Sequence, residues 1–184
     1  MSTLTKLEPI SIDDYLRQEE RGEVRHEYVK GVVYAMVGGT ARHNLITSAI
    51  ASTLRSHLKG ASCSVFMSDM KVQTDESFYY PDVMVVCSPV DPGSLYQTQP
   101  VLIVEVLSPS TESRDRLEKL VAYQSIPSLK EYLLVSQDKV AVDIYRRDKD
   151  TWQLESLSHG DSIRLESLNY QADIEIFYED VLSA

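Results

Sequence analysis

The sequence predicts an α/β fold, a central mixed β-sheet flanked by α-helices, and three observations carry that expectation. Residues 101–107, VLIVEVL, are apolar on both faces of an extended chain, as a central strand covered on each side must be. Residues 41–59 place Leu45, Ile46, Ala49, Ile50, Thr53 and Leu54 along one stripe at helical spacing. Strand-like and helix-like segments then mix along all 184 residues without a repeat, low-complexity tract or long linker, which predicts one domain over 1–184.

Ser11 and Asp14 form a helix-starting pair, so residues 12–20 read as a short N-terminal helix. RHEYVKGVVYAM (25–36) alternates on both sides of Lys30-Gly31 and predicts a β-hairpin. Gly38-Gly39-Thr40 introduces the helix at about 41–59, and Gly60 stops it. Strands follow at about 63–73, 82–87 and 101–107. SPST at 108–111 breaks the chain before a helix at about 114–125. Further strands read at about 131–136, 140–146 and 152–157. YRRDKD (145–150), the one compact basic cluster, is the hairpin turn between the last two, and ADIEIFYEDVL is helical at its end.

A hydrophobic content of 43% with 25% charged residues is ordinary for a globular protein, so a packed core rather than disorder is expected. No apolar stretch approaches the ~18–20 residues needed to span a bilayer. The N-terminal residues have no basic region followed by an apolar core, so a cytoplasmic protein without membrane contact is expected. Cys63 and Cys87 read as small buried hydrophobes in a reducing compartment rather than as a disulfide, and no Cys/His spacing suggests zinc. A net charge of −10 argues against broad electrostatic attraction to nucleic acid. A nuclease needs only a local basic rim, however, and brings divalent cations of its own.

Two acids stand out. Asp82 follows Pro81 at the mouth of the apolar run VMVV, and Glu105 interrupts the central strand VLIVEVL. An ionised carboxylate beside a dry interior is costly unless its charge is compensated. At corresponding levels of neighbouring strands, the pair would suit Mg²⁺ or Mn²⁺, hard cations that prefer oxygen ligands. The same residues would also serve a purely structural arrangement, with Asp82 capping a turn and Glu105 paired with an arginine. Spacing alone leaves both readings open.

The string YYPDVMVVC…VLIVEVLSPSTESRDRLEKLVAYQSIPSLKEYLLV resembles the Uma-type endonucleases of the PD-(D/E)xK superfamily. The similarity covers about residues 8–160 and is densest from Tyr80 to Val135. It implies a restriction-endonuclease-like fold and Mg²⁺- or Mn²⁺-dependent hydrolysis of DNA phosphodiester bonds, with a homodimer as the state common in the superfamily. In that pattern Asp82 is the Pro-Asp acid and Glu105 the second acid. The superfamily places a lysine two residues after the second acid, where this chain has Leu107. Lys119, the lysine of the family's D…K…Y helix, is then the candidate replacement. Helical spacing sets Asp115, Lys119, Ala122 and Tyr123 on one side, opposite Leu117, Leu120 and Val121. The expected arrangement packs one side on the sheet and shows Lys119 to the site with the other.

Glu27 matches an acidic family position at the hairpin and is a third candidate metal ligand. His43, in the first turn of the helix after Gly38-Gly39, is a candidate for holding a phosphate or ordering a carboxylate, with Asp115 and Tyr123 as further support. Tyr79, Tyr80, Tyr123 and Tyr132 read mainly as fillers between sheet and helices, their hydroxyls reaching a partner. Two other functions fit the same residues: a nuclease-like module that binds without cutting, and a metal-dependent phosphoesterase for small substrates. The acidic composition favours both over a broad DNA-binding surface.

Overall fold

Ser11 accepts a hydrogen bond from the Asp14 amide and starts helix α1 (Ile12–Arg21). In this computed structural model the described residues are 9–36, 38–108 and 112–182. The hairpin forms as β1 (His26–Val29) and β2 (Val32–Ala35), with Lys30 and Gly31 both at positive φ, as a tight primed turn requires. Gly31 has a second reason to lack a side chain: a Cβ there would lie 2.5 Å from the Pro9 ring. Thr40 caps α2 (Ala41–His57) by accepting from the His43 amide, and donates its hydroxyl to Gln137 at 2.9 Å.

The expected strand at 63–73 divides. β3 (Ser64–Met67) and β4 (Lys71–Gln73) belong to different sheets, because the chain crosses between them at residues 68–70, with Ser68 in the left-handed region. Two strands not expected from the sequence follow the same logic: β5 (Ser77–Tyr79) and the short β7 (Tyr96–Gln97) complete the smaller sheet. Between them, β6 (Val83–Val86) returns to the larger sheet beside β8 (Pro100–Leu107). The helix expected at 114–125 forms as α3 (Glu112–Arg114), a π turn (Asp115–Lys119) and α4 (Leu120–Gln124), running on without a break. Strands β9 (Glu131–Ser136), β10 (Ala141–Asp148) and β11 (Thr151–Ser158) match their expected positions closely. β12 (Ser162–Leu165) and β13 (Tyr170–Asp173) pair with each other, and a 3₁₀ turn (Ile174–Phe177) leads to α5 (Glu179–Leu182).

The larger sheet has the order β11-β10-β9-β8-β6-β3 and is mixed, β8 and β9 being parallel. The smaller has the order β2-β1-β5-β4-β7. Alternation along β8 sends Leu102, Val104 and Val106 into one core, with Ile46, Ile50 and Leu54 of α2 and the segment from Ile163 to Tyr178. Ile103 and Leu107 enter the opposite core, with Tyr123 and Tyr132 and with Val72 and Tyr79 of the smaller sheet. Tyr15 of α1 packs on Tyr28 and Phe78, covering the smaller sheet from its other side. Among the described residues, no helix is long and apolar enough to cross a membrane.

Two expectations need correction. The helix packs with the Asp115, Lys119 and Tyr123 side, all buried, and leaves Leu117 and Val121 exposed. Lys119 and the packing face are therefore the same side. Cys63 and Cys87 are bonded to each other rather than being separate buried thiols. The cause is register: Ser64 pairs with Val86, so the two cysteines meet one step beyond the β3–β6 ladder. Protein prepared without reductant should show no thiol reactive to Ellman's reagent when unfolded. Replacing both cysteines by serine should cost roughly 2–4 kcal/mol in denaturant unfolding. Two titratable thiols in the untreated protein would contradict the pairing.

Candidate active site

Register alone brings the two acids of the sequence motif together. Val83 faces Val104 in the β6–β8 ladder, so Asp82, one residue earlier, falls against Glu105. Alternation puts Glu105 on the same face as Ile103 and Leu107, toward the helix that carries Lys119. Asp82 stands where the chain passes from the smaller sheet to the larger. Its Oδ2 accepts from the Val106 amide at 2.7 Å and lies 3.1 Å from His43 Nε2. Asp82 is thus compensated by a strand amide and an imidazole. Gly39 makes room for that imidazole, since a Cβ there would come within 3.0 Å of His43 Nδ1.

Lys119 gathers the remaining acids. Its Nζ lies 3.0 Å from Glu105, 3.2 Å from Glu27 and 3.2 Å from Asp115. All four are nearly dry: Lys119 is 6% exposed, Glu27 4%, Glu105 3% and Asp115 1%. Glu27 comes from β1 of the smaller sheet and also accepts from the Tyr80 amide at 3.4 Å, so it is no solvated edge residue. The π turn sets Asp115 and Lys119 four residues apart on the buried side, and the Tyr132 hydroxyl donates to the Asp115 carbonyl. Tyr123 donates its hydroxyl to Glu105 at 2.8 Å. Leu107, where the resemblance would expect a lysine, lies in the apolar core, and the Lys119 ammonium meets Glu105 from the helix.

Among the described residues, three buried acids share the Lys119 ammonium. Burial pushes the Glu105 carboxyl well above its usual range; Lys119 opposes that shift, and the charges of Asp115, Asp82 and Glu27 add to it. Burial would depress the Lys119 ammonium, but Glu105, Glu27 and Asp115 overcome it and hold the lysine well above its usual value. The hydrogen bond to Asp82 likewise raises His43 against the effect of burial. Asp115 Oδ1 is buried within ion-pair range of Lys119 yet accepts no hydrogen bond. The described residues hold no ready-made group of three acid, histidine or cysteine side chains placed for a metal ion. An ammonium lies between the acids instead.

All seven candidates (Asp82, Glu105, Lys119, Glu27, His43, Asp115 and Tyr123) lie in this one constellation. Tyr79, Tyr80, Tyr123 and Tyr132 are buried, with Tyr79, Tyr123 and Tyr132 in edge-to-face contact. The Val106 amide and Gln137 were not foreseen: a backbone donor has no sequence signature, and Gln137 acts only by anchoring Thr40.

With this geometry in view, comparison with known proteins is decisive for the family. Residues 12–175 match the family model Uma2, described as "Putative restriction endonuclease". The chain belongs to the Uma2 family. Among relatives, it is 38% identical to the uncharacterized protein slr1290 of Synechocystis sp. over 173 residues, covering 92% of this chain and 91% of that one. It is 33% identical to the uncharacterized protein sll1609 of the same organism over 159 residues, covering 83% and 89%. A crystal structure of a "putative nuclease belonging to DUF820" from Anabaena variabilis superposes with a TM-score of 0.79. That match has 19% identity and covers 93% of this chain and 98% of that one. This likeness establishes the fold shared with the Uma2 chain described above. The family is one described as restriction endonucleases, and the structural match shows the shared fold.

Tyr123→Phe removes a buried donor from Glu105 while keeping the ring. Urea unfolding should report a loss of about 1–3 kcal/mol, the cost of a buried charged acceptor losing a partner. No measurable loss would mean that the hydroxyl does not serve Glu105.

Proposed function

We propose that this Uma2 chain is a Mg²⁺- or Mn²⁺-dependent endonuclease that hydrolyses DNA phosphodiester bonds. The observation that carries the reading is the convergence of acids: Glu105, Glu27 and Asp115 lie within 3.2 Å of one buried lysine, and Asp82, paired with His43, stands beside Glu105. The donor set, the carboxylate oxygens of Asp82, Glu105 and Glu27, has the chemistry that a hard divalent cation takes. Asp82, Glu105 and Glu27 would hold the ion. When bound, such an ion polarises the phosphodiester and lowers the pKa of water.

The chain's own residues do the rest. His43 and the Val106 amide fix the Asp82 carboxylate, and Tyr123 fixes that of Glu105. Lys119 supplies the positive charge that the motif's strand lysine would otherwise give, stabilising charge on the phosphate or orienting the attacking water. Asp115 sets the lysine within its helix.

One observation favours a second substrate class. The net charge is −10, and Asp82 and His43, the more open members of the site, have side chains only 16% and 17% exposed. A small phosphoester would enter such a site without needing a basic docking surface.

The test is nicking of supercoiled DNA with Mn²⁺, in parallel with hydrolysis of bis(p-nitrophenyl) phosphate. Asp82→Asn and Glu105→Gln should abolish metal-dependent turnover. Lys119→Gln should lower it by roughly 10²–10³-fold. Turnover of the small ester alone would select the phosphoesterase, and turnover of neither would contradict the hydrolytic reading.

A further inference from the structure

The three acids around Lys119 belong to three separate elements: Glu27 to β1, Glu105 to β8 and Asp115 to the π turn. They lie at nearly equal distances, between 3.0 and 3.2 Å from Nζ. A surface lysine takes one partner and keeps its water; this one is buried and takes three. The ammonium therefore fills the role that a metal would otherwise fill, as the cation that lets these acids share a dry space. Resting on the metal-site reading above, we infer that Lys119 is the resident counter-ion of the carboxylate cage. A divalent cation and the Lys119 ammonium compete for it.

Electrostatics sets the competition. A dication placed among these carboxylates would sit a few ångströms from the ammonium, in surroundings where like charges repel far more strongly than in water. The four-carbon lysine stem lets Nζ leave by rotation, without any movement of the helix backbone. Asp82 and His43 are the members still reached by solvent, so an ion enters on their side. Lys119 thus has two posts. With no metal it is the shared cationic partner of the three acids; with metal it is released toward the phosphate that it is to serve.

The experiment is calorimetric titration of Mn²⁺ into the wild type, Lys119→Met, Lys119→Arg and Asp82→Asn. Methionine keeps the length of the stem and removes the competing charge. Lys119→Met should bind Mn²⁺ more tightly than the wild type, by on the order of tenfold. Lys119→Arg should bind no more tightly than the wild type, and Asp82→Asn more weakly. If the wild type binds and Lys119→Met binds equally or less well, the competition is overturned while the metal site stands. If the wild type binds no Mn²⁺, or Asp82→Asn binds as the wild type does, the metal-site reading itself fails.

Lys119→Met leaves buried acids without their cation, so a second measurement uses the unaltered chain. Acylation of lysines, mapped by mass spectrometry, should find Lys119 protected without metal and reactive at saturating Mg²⁺, the other lysines being unchanged. Equal protection of Lys119 with and without saturating Mg²⁺ would overturn the proposal.

Discussion

The buried ion-pair cluster at Lys119 is the constraint on which the rest of this structure depends. It joins the smaller sheet through Glu27, the larger sheet through Glu105, and the helix between β8 and β9 through Asp115 and Lys119 itself. Hydrophobic packing sets these layers against each other without regard to exact placement. The ammonium fixes where they meet, because breaking a buried pair from one side typically costs about 3–5 kcal/mol. The π turn is part of that arrangement, with Tyr132 donating to its first carbonyl from the neighbouring strand.

Glu131 gives the contrast that separates structural burial from this site. It too is a nearly dry carboxylate, at the start of β9. Its oxygens accept from Arg146, from the Glu166 and Ser167 amides and from the Ser167 hydroxyl. One acid there has four donors. At Lys119, among the described residues, three acids from separate elements meet at one ammonium. A fold that needed only stability would have had the Glu131 solution available. The convergence of buried acids on Lys119 is the feature that calls for a functional account.

Much of this was legible in the sequence, for physical reasons that differ by element. Helix α2 announces itself by its apolar stripe, β8 and β9 by apolar runs buried on both faces, and β10 by alternation. Asp82 and Glu105 were visible as acids where packing asks for none, and Leu107 as the missing lysine that points to Lys119. The division of residues 63–73 between two sheets was not read, since the crossing shows only as the polar pair Ser68-Asp69 within an otherwise strand-like run. Helical spacing grouped Asp115, Lys119 and Tyr123 correctly but gave the wrong inward side. Apolar Leu117 and Val121 lie outward, and the polar face is buried because its charges meet Glu27 and Glu105. The cysteine pairing was hidden in register, which no single strand records.

The central claim is that Asp82, Glu105 and Glu27 form a metal site in which Lys119 is the cationic partner of Glu105 and Glu27 in the ion's absence. Anomalous diffraction from crystals grown with Mn²⁺ tests it most directly. The account predicts an anomalous peak bounded by the Asp82, Glu105 and Glu27 carboxylates, with Lys119 Nζ displaced from its present ion pairs. Crystals saturated with Mn²⁺ that show no peak there, with Lys119 still paired to Glu27, Glu105 and Asp115, would contradict it.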